Sequence, residues 1–258
     1  MARVIAVANQ KGGVGKTTSA VNLAASLAAA ECSTLLIDLD PQANATSSLG
    51  YPPGEVKHGV YEALIGPAEI SGLILNTSLE FLKLVPASGE LVGAELELTS
   101  LPGRERRLAE RIKGLGDQAR VILIDTPPSL GLLTLNALVA ADSVLVPLQC
   151  EYLALEGLAS LMQTIERVRA ELNPGLQLEG LLLTMYDARN NLSTQVARDA
   201  RQHFPDSVFR TVIPRNVRLS EAPSHGKPAL LYDINSKGAL SYLQLAQELL
   251  ERMQHGNT

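Results

Sequence analysis

The sequence predicts an α/β fold of three layers, a mainly parallel twisted sheet with helices on both faces. Three observations carry this. Short apolar runs rich in Val, Ile and Leu recur at residues 4–8, 34–39, 121–125, 143–147 and 178–185, and strands apolar at nearly every position are buried on both faces. Segments of helical character alternate with them outside the middle third of the chain, the order that builds parallel sheets. Two of the runs lead into carboxylates, Asp38 and Asp125, at strand ends where open α/β sheets bind ligands.

Bulk properties narrow the class. The 258 residues suffice for a large core and are read as one domain, 1–258. With 46% hydrophobic residues, 3% aromatics and no Trp, that core is aliphatic. No apolar run approaches the roughly 20 residues of a membrane span, and the N-terminus lacks the regions of a signal peptide, so a cytoplasmic protein that does not enter membranes is expected. Cys32 and Cys150 form no CxxC pair and have no His in ligand spacing, so they are read as buried free thiols. A net charge of −5 excludes a uniformly basic nucleic-acid binder. Residues 185–227 nevertheless hold seven basic against four acidic side chains, a local patch compatible with phosphate backbones.

Taken in order, residues 4–8 are a strand, 11–15 a glycine-rich loop, and 19–30 a helix opened by Thr17 and free of Gly and Pro. Strand, glycine loop and helix are the setting of a phosphate-binding loop. Gly12, Gly13 and Gly15 can turn successive N–H groups toward an anion, and the helix adds its positive dipole end. Lys16 is placed for the β- and γ-phosphates and Thr17 for Mg²⁺. The segment Lys11, Gly12, Gly13, Val14, Gly15, Lys16, Thr17 and Thr18 is therefore assigned to a nucleoside triphosphate. Gln10 stands where the standard pattern has glycine, and Lys11 adds a second lysine. This K-G-G-V-G-K-T resembles the deviant Walker A P-loop of the ParA, MinD and nitrogenase-iron-protein ATPases. The resemblance implies a P-loop NTPase fold in which Lys11 reaches the nucleotide of a second subunit.

Residues 34–39 form the second strand and run into D-L-D-P-Q-A-N (38–44), similar to the switch segment of the ParA/Soj branch. By that resemblance Asp40 positions or activates the attacking water and Asp38 belongs to the hydrogen-bond shell around the metal; a strand-end cap is the other reading of Asp38. Residues 51–76, broken by Pro and Gly, read as loop with short helices at 60–65 and 68–73. A strand at 81–85 and helices at 90–98 and 103–113 follow, the last strongly charged and expected to be largely solvated. The third long strand, 121–125, ends in Asp125 with the Walker B pattern, whose carboxylate holds Mg²⁺; an ordinary strand-end Asp is the alternative. A helix at 130–141, a strand at 143–147 and an amphipathic helix at 154–172 come next. Leu155, Leu158, Leu161, Met162, Ile165, Val168 and Leu172 form the core stripe of that helix, and Glu151 before it is a candidate to meet a partner subunit. A strand at 178–185, a helix at 192–203, a strand at 208–213 and a closing helix at 236–254 complete the chain.

The run V-I-P-R-N-V-R-L-S-E-A-P-S-H-G-K-P (212–228) resembles chromosomal ParA/Soj proteins specifically. It implies that Pro214 and Asn216 wall and read the adenine, and that Arg189 and Arg218 carry non-specific double-stranded DNA binding once two subunits join, with Arg215 and Lys227 as lesser candidates. Guanidinium forks suit phosphate oxygens. The chain is thus identified as a ParA/Soj-type partitioning ATPase. The implied cycle is an ATP–Mg²⁺ homodimer on nucleoid DNA, released by hydrolysis that a ParB/Spo0J-type partner stimulates, with Lys11, Lys16 and Asp40 as the catalytic set. A MinD-like membrane ATPase would need a basic amphipathic terminal helix, which 236–258 lacks. An iron–sulfur reductase would need two cluster cysteines per subunit, which Cys32 and Cys150 do not match.

Overall fold

A computed structural model describes residues 2–115, 118–151 and 154–255, with backbone only at 154–156 and 255. In chain order the elements are β1 (Arg3–Val7), α1 (Lys16–Ala29), β2 (Thr34–Asp38), α2 (Asn44–Ser48), α3 (Val60–Leu64), β3 (Leu75–Asn76), β4 (Leu82–Val85), α4 (Leu91–Leu98), α5 (Arg107–Lys113) and β5 (Val121–Asp125). Then come α6 (Leu132–Ala140), β6 (Ser143–Gln149), α7 (Ala154–Glu171), β7 (Gln177–Thr184), α8 (Asn191–His203), α9 (Val217–Glu221), α10 (Ala229–Tyr232) and α11 (Lys237–His255).

The described strands make one sheet in the order β3-β4-β2-β5-β1-β6-β7. Every pairing is parallel except β3 with β4. Parallel strands all end at one edge, so the loops after β1, β2, β5 and β7 converge there. Register does the fine placement: Asp125 pairs with both Val7 of β1 and Asp38 of β2.

Alternation along each strand splits the core in two. Val4, Ala6, Ile122, Ile124, Val144 and Val146 face α3 to α8, while Ile5, Val7, Val121, Leu123 and Leu145 face α1 and α11. Burial on both faces is why the strands read as unbroken apolar runs. Leu23 and Leu27 of α1 are fully buried, each worth about 1.5–3 kcal/mol over exposure. The apolar stripe of α11 lies in the same core, where the Tyr242 hydroxyl meets Ser19 Oγ at 3.0 Å. The stripe of α7 packs as expected through Leu158, Leu161, Ile165 and Val168, while the Leu155 side chain lies outside the described residues.

Three expectations need correction. Residues 208–213 meet β7 only through one isolated bridge, Leu181 with Val208, and single backbone bonds, Phe209 N to Leu181 O at 3.0 Å and Ile213 N to Leu183 O at 2.8 Å. The amides of Arg210 and Thr211 donate instead to Glu248 of α11, at 2.8 and 2.9 Å, so no ladder forms. Helix α5 is not largely solvated. Arg107 Nε donates to Leu64 O and Arg111 Nη2 to Gly66 O, satisfying carbonyls at the C-terminal end of α3. Residues 68–73 shorten to a 3₁₀ turn, Ile70–Leu73.

Candidate functional site

The loop leaving β1 sits at the middle of the sheet. Gly13 and Gly15 hold φ of +74° and +89°, a left-handed backbone that side chains strain. Polar neighbours brace the loop. Asn9 Nδ2 donates to Pro147 O at 2.8 Å while its Oδ1 accepts from the Lys11 amide at 3.0 Å. Gln10 donates to Gly157 O at 3.3 Å, and Thr184 Oγ1 to Val14 O at 2.8 Å. Lys11, Gly12 and Gly13 are exposed at the mouth. No side chain caps the start of α1 and no carboxylate lies in its first turn. Its amides and dipole are left for an anion.

Lys16 opens α1, is 6% exposed and folds back so that Nζ donates to Lys11 O at 3.0 Å. Burial holds its pKa below the usual lysine range, against the pull of Asp125 and Asp40. Thr17 and Thr18 follow, half-buried. At the end of β2, Asp38 is fully buried and accepts from the Thr46 amide (2.8 Å), Thr46 Oγ1 (2.7 Å) and the Asp40 amide (3.1 Å). Burial raises its pKa to about 6 despite these bonds. Asp40 uses Oδ1 to accept from the Gln42 amide at 2.9 Å. At the end of β5, Asp125 is fully buried; the Thr17 hydroxyl lies near enough to pull its pKa down, but neither oxygen accepts a well-formed hydrogen bond among the described residues. Burial, then the neighbouring Asp38, push its pKa well above the carboxylate range.

A buried carboxylate without a partner is costly unless a cation answers it. A hard oxygen donor there fits Mg²⁺. Among the described residues no cluster of three or more His, Cys, Asp or Glu forms a metal cage. A cation held by Asp125 and Thr17 would complete its shell with phosphate and water, as Mg²⁺ does in nucleotide sites.

The sequence-predicted residues divide. Lys16, Asp38, Asp40 and Asp125 lie together: Asp125 and Asp40 act on the Lys16 pKa, and Asp38, Asp40 and Lys16 on that of Asp125. Asn216 caps α9, its Oδ1 accepting from the Arg218 amide at 3.0 Å, and Pro214 bridges to Tyr186. Arg189 is 91% exposed and pairs with Asp187 at 2.9 Å. Arg218 is half-exposed beside Glu221 and Asp233, and Arg215 reaches Glu151 of its own chain at 3.2 Å. Lys227 lines a cavity of about 330 Å³ with Thr17, Thr18 and Asn44. Arg210 is likewise exposed and paired, with Glu248 and Glu251. Both thiols are buried, and burial pushes Cys150 up to about 11.

Sequence reasoning missed Thr46, Thr184 and Asn9, polar residues that hold the carboxylates and the loop in place. The only signal for the last two was a polar residue at or just past a strand end. It also missed a contact between two glycines. A Cβ at Gly226 (φ +62°) would lie 3.0 Å from Gly50 Cα, joining the turn after α9 to the residues after α2.

A left-handed glycine loop on an uncapped helix, facing a buried lysine and three strand-end carboxylates, defines a P-loop ATPase of the deviant Walker A class. A family model described as an AAA domain matches residues 2–178. The chain is 56% identical to the chromosome partitioning protein ParA of Myxococcus xanthus, over 97% of this chain and 88% of that protein. It is 53% identical to the sporulation initiation inhibitor protein Soj of Bacillus subtilis, over 96% and 98%. A crystal structure of cobyrinic acid a,c-diamide synthase from Mycobacterium smegmatis with bound ADP and magnesium superposes with a TM-score of 0.87 at 40% identity, covering 99% and 97% of the two chains. The chain belongs to the ParA/Soj family of chromosome-partitioning ATPases. No helix among the described residues is long and apolar enough to cross a membrane.

Proposed function

We propose that residues 1–258 act as one nucleotide-driven partition switch. ATP is held by the loop from Lys11 to Thr18, two copies then join face to face, and the pair grips duplex DNA. Hydrolysis, stimulated by a ParB/Spo0J-type partner, resets it on the nucleoid. The observation that carries this reading is the buried set Lys16, Asp38, Asp40 and Asp125 beneath the glycine loop.

Each residue has a role in that scheme. The amides of Gly12, Gly13, Val14 and Gly15 and the start of α1 receive phosphate oxygens. Lys16 leaves its stand-in partner, Lys11 O, for the β- and γ-phosphates. Thr17 and Asp125 hold Mg²⁺, which when bound neutralises charge developing on the phosphates. Asp40 has one oxygen tied to the Gln42 amide and the other open among the described residues, so it can orient an attacking water. Asp38, locked by Thr46 and the Asp40 amide, fixes the position of Asp40. Lys11, exposed at the mouth, is free to cross to the second subunit, and Pro214 and Asn216 stand beside the base. Arg189, Arg218 and Arg215 offer guanidinium groups to DNA phosphates.

Size-exclusion chromatography with light scattering tests the switch on Asp40→Ala. A dimer that needs ATP and co-elutes with a short duplex is expected, with monomer in ADP or without nucleotide. Monomer with ATP bound would defeat the proposal. Lys11→Ala should keep ATP binding and lose the dimer.

A further inference from the structure

Helix α4 carries the two most exposed large apolar side chains among the described residues, Leu96 at 82% and Val92 at 69%. Their i, i+4 spacing sets them on one helix face, beside Gly93, which adds no bulk. Carboxylates rim that face. Glu90 and Glu97 are exposed, and the Tyr61 hydroxyl donates to both oxygens of Glu97 at 3.0 Å. Glu97, Glu90 and Glu62 together raise the Tyr61 pKa, so all three converge there. Residues 55–98 hold seven acidic side chains against two lysines. The nearby Arg104 is engaged, binding Thr99 O and Glu105 at 2.7 and 2.9 Å, and His58 Nδ1 lies 3.1 Å from Glu62.

Charge decides the occupant. An anionic lipid surface is repelled by this rim. A second copy joined face to face through the same patch would set carboxylate against carboxylate. An apolar face ringed with negative charge is complementary to a helix or strand bearing apolar anchors and Lys or Arg. We propose that the outer face of α4 docks a cationic amphipathic segment of a partner protein, its apolar side chains on Val92 and Leu96 and its basic ones on Glu90 and Glu97.

The same helix reaches the nucleotide end. Glu95 Oε1 accepts from the Leu133 amide at 3.5 Å and fills the space over Gly131, where an added Cβ would lie 2.0 Å from that oxygen. Gly131 and α6 follow directly on Asp125 to Ser129, and Pro128 packs 3.8 Å from the Cβ position of Gly12. Docking on α4 thus bears on the loop that ends in the phosphate cradle. The assignment deepens the proposed function by placing the stimulating partner, and rests on that reading only for the effect on turnover.

The probe is a fluorescent synthetic peptide of about 18 residues, about five helical turns, with Leu at i, i+4 and Lys alongside. A control peptide keeps the charge and replaces Leu with Ser. The intact chain should bind the Leu peptide at least about tenfold more tightly than the control, a gap of one decade in Kd. Val92→Lys/Leu96→Lys should lose that margin while unstimulated ATP turnover stays unchanged. Glu90→Lys/Glu97→Lys should weaken the same peptide independently. Equal binding of both peptides, or full binding by both double variants, overturns the proposal. So does a change in oligomeric state of Val92→Lys/Leu96→Lys without loss of peptide. A ParB/Spo0J-type protein of the same genome separates the two readings. If it stimulates wild type and both double variants alike, the docking face is wrong and the function stands. If it stimulates nothing while the peptide binds, the function fails and the face stands.

Discussion

Asp125→Asn isolates what the site stores. The carboxylate is fully buried, has only the nearby Thr17 hydroxyl and no well-formed hydrogen bond among the described residues, and faces Asp38 in register on the adjacent strand. Without nucleotide it is therefore a destabilising group, and an amide of the same shape removes the charge. An unsatisfied buried group costs about 1–3 kcal/mol and more when charged; the amide still carries the neutral cost, so the variant should be more stable at pH 8 only by the excess due to charge, on the order of 1–3 kcal/mol. For a chain of this size that is a rise of about 3–10 °C in Tm. The sign follows from the raised pKa. A carboxyl whose folded-state pKa lies above its unfolded value favours the fold at low pH and penalises it as pH rises past the ordinary carboxylate range. The gain should therefore shrink toward zero below about pH 3, where wild-type Asp is protonated in both states. ATP with Mg²⁺ reverses the order, because ligand at about 100 times Kd adds about 2.7 kcal/mol to a protein that binds it, and the variant forfeits the Mg²⁺-dependent share. Thermal unfolding with and without ATP and Mg²⁺, at several pH values, measures all of this. A variant less stable than wild type without nucleotide, or stabilised equally by ATP–Mg²⁺, refutes the reasoning.

Three further outcomes are expected. Gly15→Ala forces a side chain into φ +89°; it should cost about 1–2 kcal/mol in urea unfolding and weaken nucleotide binding in calorimetry. Arg189→Glu and Arg218→Glu should each lower ATP-dependent duplex affinity regardless of sequence and reduce the slope of log K against log salt by about 1; an unchanged slope in fluorescence anisotropy places the DNA face elsewhere. Glu248→Ala strips the Arg210 and Thr211 amides of their acceptor and should cost about 2–4 kcal/mol in chemical denaturation, leaving nucleotide affinity unchanged.

The parts legible in the sequence are those in which local chemistry has one use. Glycines beside two lysines between a strand and a helix have few roles other than holding phosphate. Val121 to Asp125 reads as a buried strand because both its faces are covered, and its bounds match those seen. Residues 208–213 were misread because Val208, Phe209, Thr211, Val212 and Ile213 are β-branched or aromatic residues that favour strands, while the acceptor that takes the Arg210 and Thr211 amides, Glu248, lies far along the chain in α11. Helix α5 was misread for a related reason. Arginines that look solvated in isolation have long side chains, and here they reach carbonyls of α3. Thr46 was invisible because its value lies in geometry: one hydroxyl donates to Asp38 and accepts from the Ala87 amide.

Gly50 and Gly226 meet main chain to main chain. Side chains cushion most packed surfaces, yielding a little by changing rotamer. Here nothing intervenes, so the segment that begins at Asp40 and the turn that trails Arg218 share a bare joint. A methyl group on Gly226 has nowhere to go but into the opposite backbone. The two stretches are obliged to keep their small residues together, however freely the surfaces around them drift.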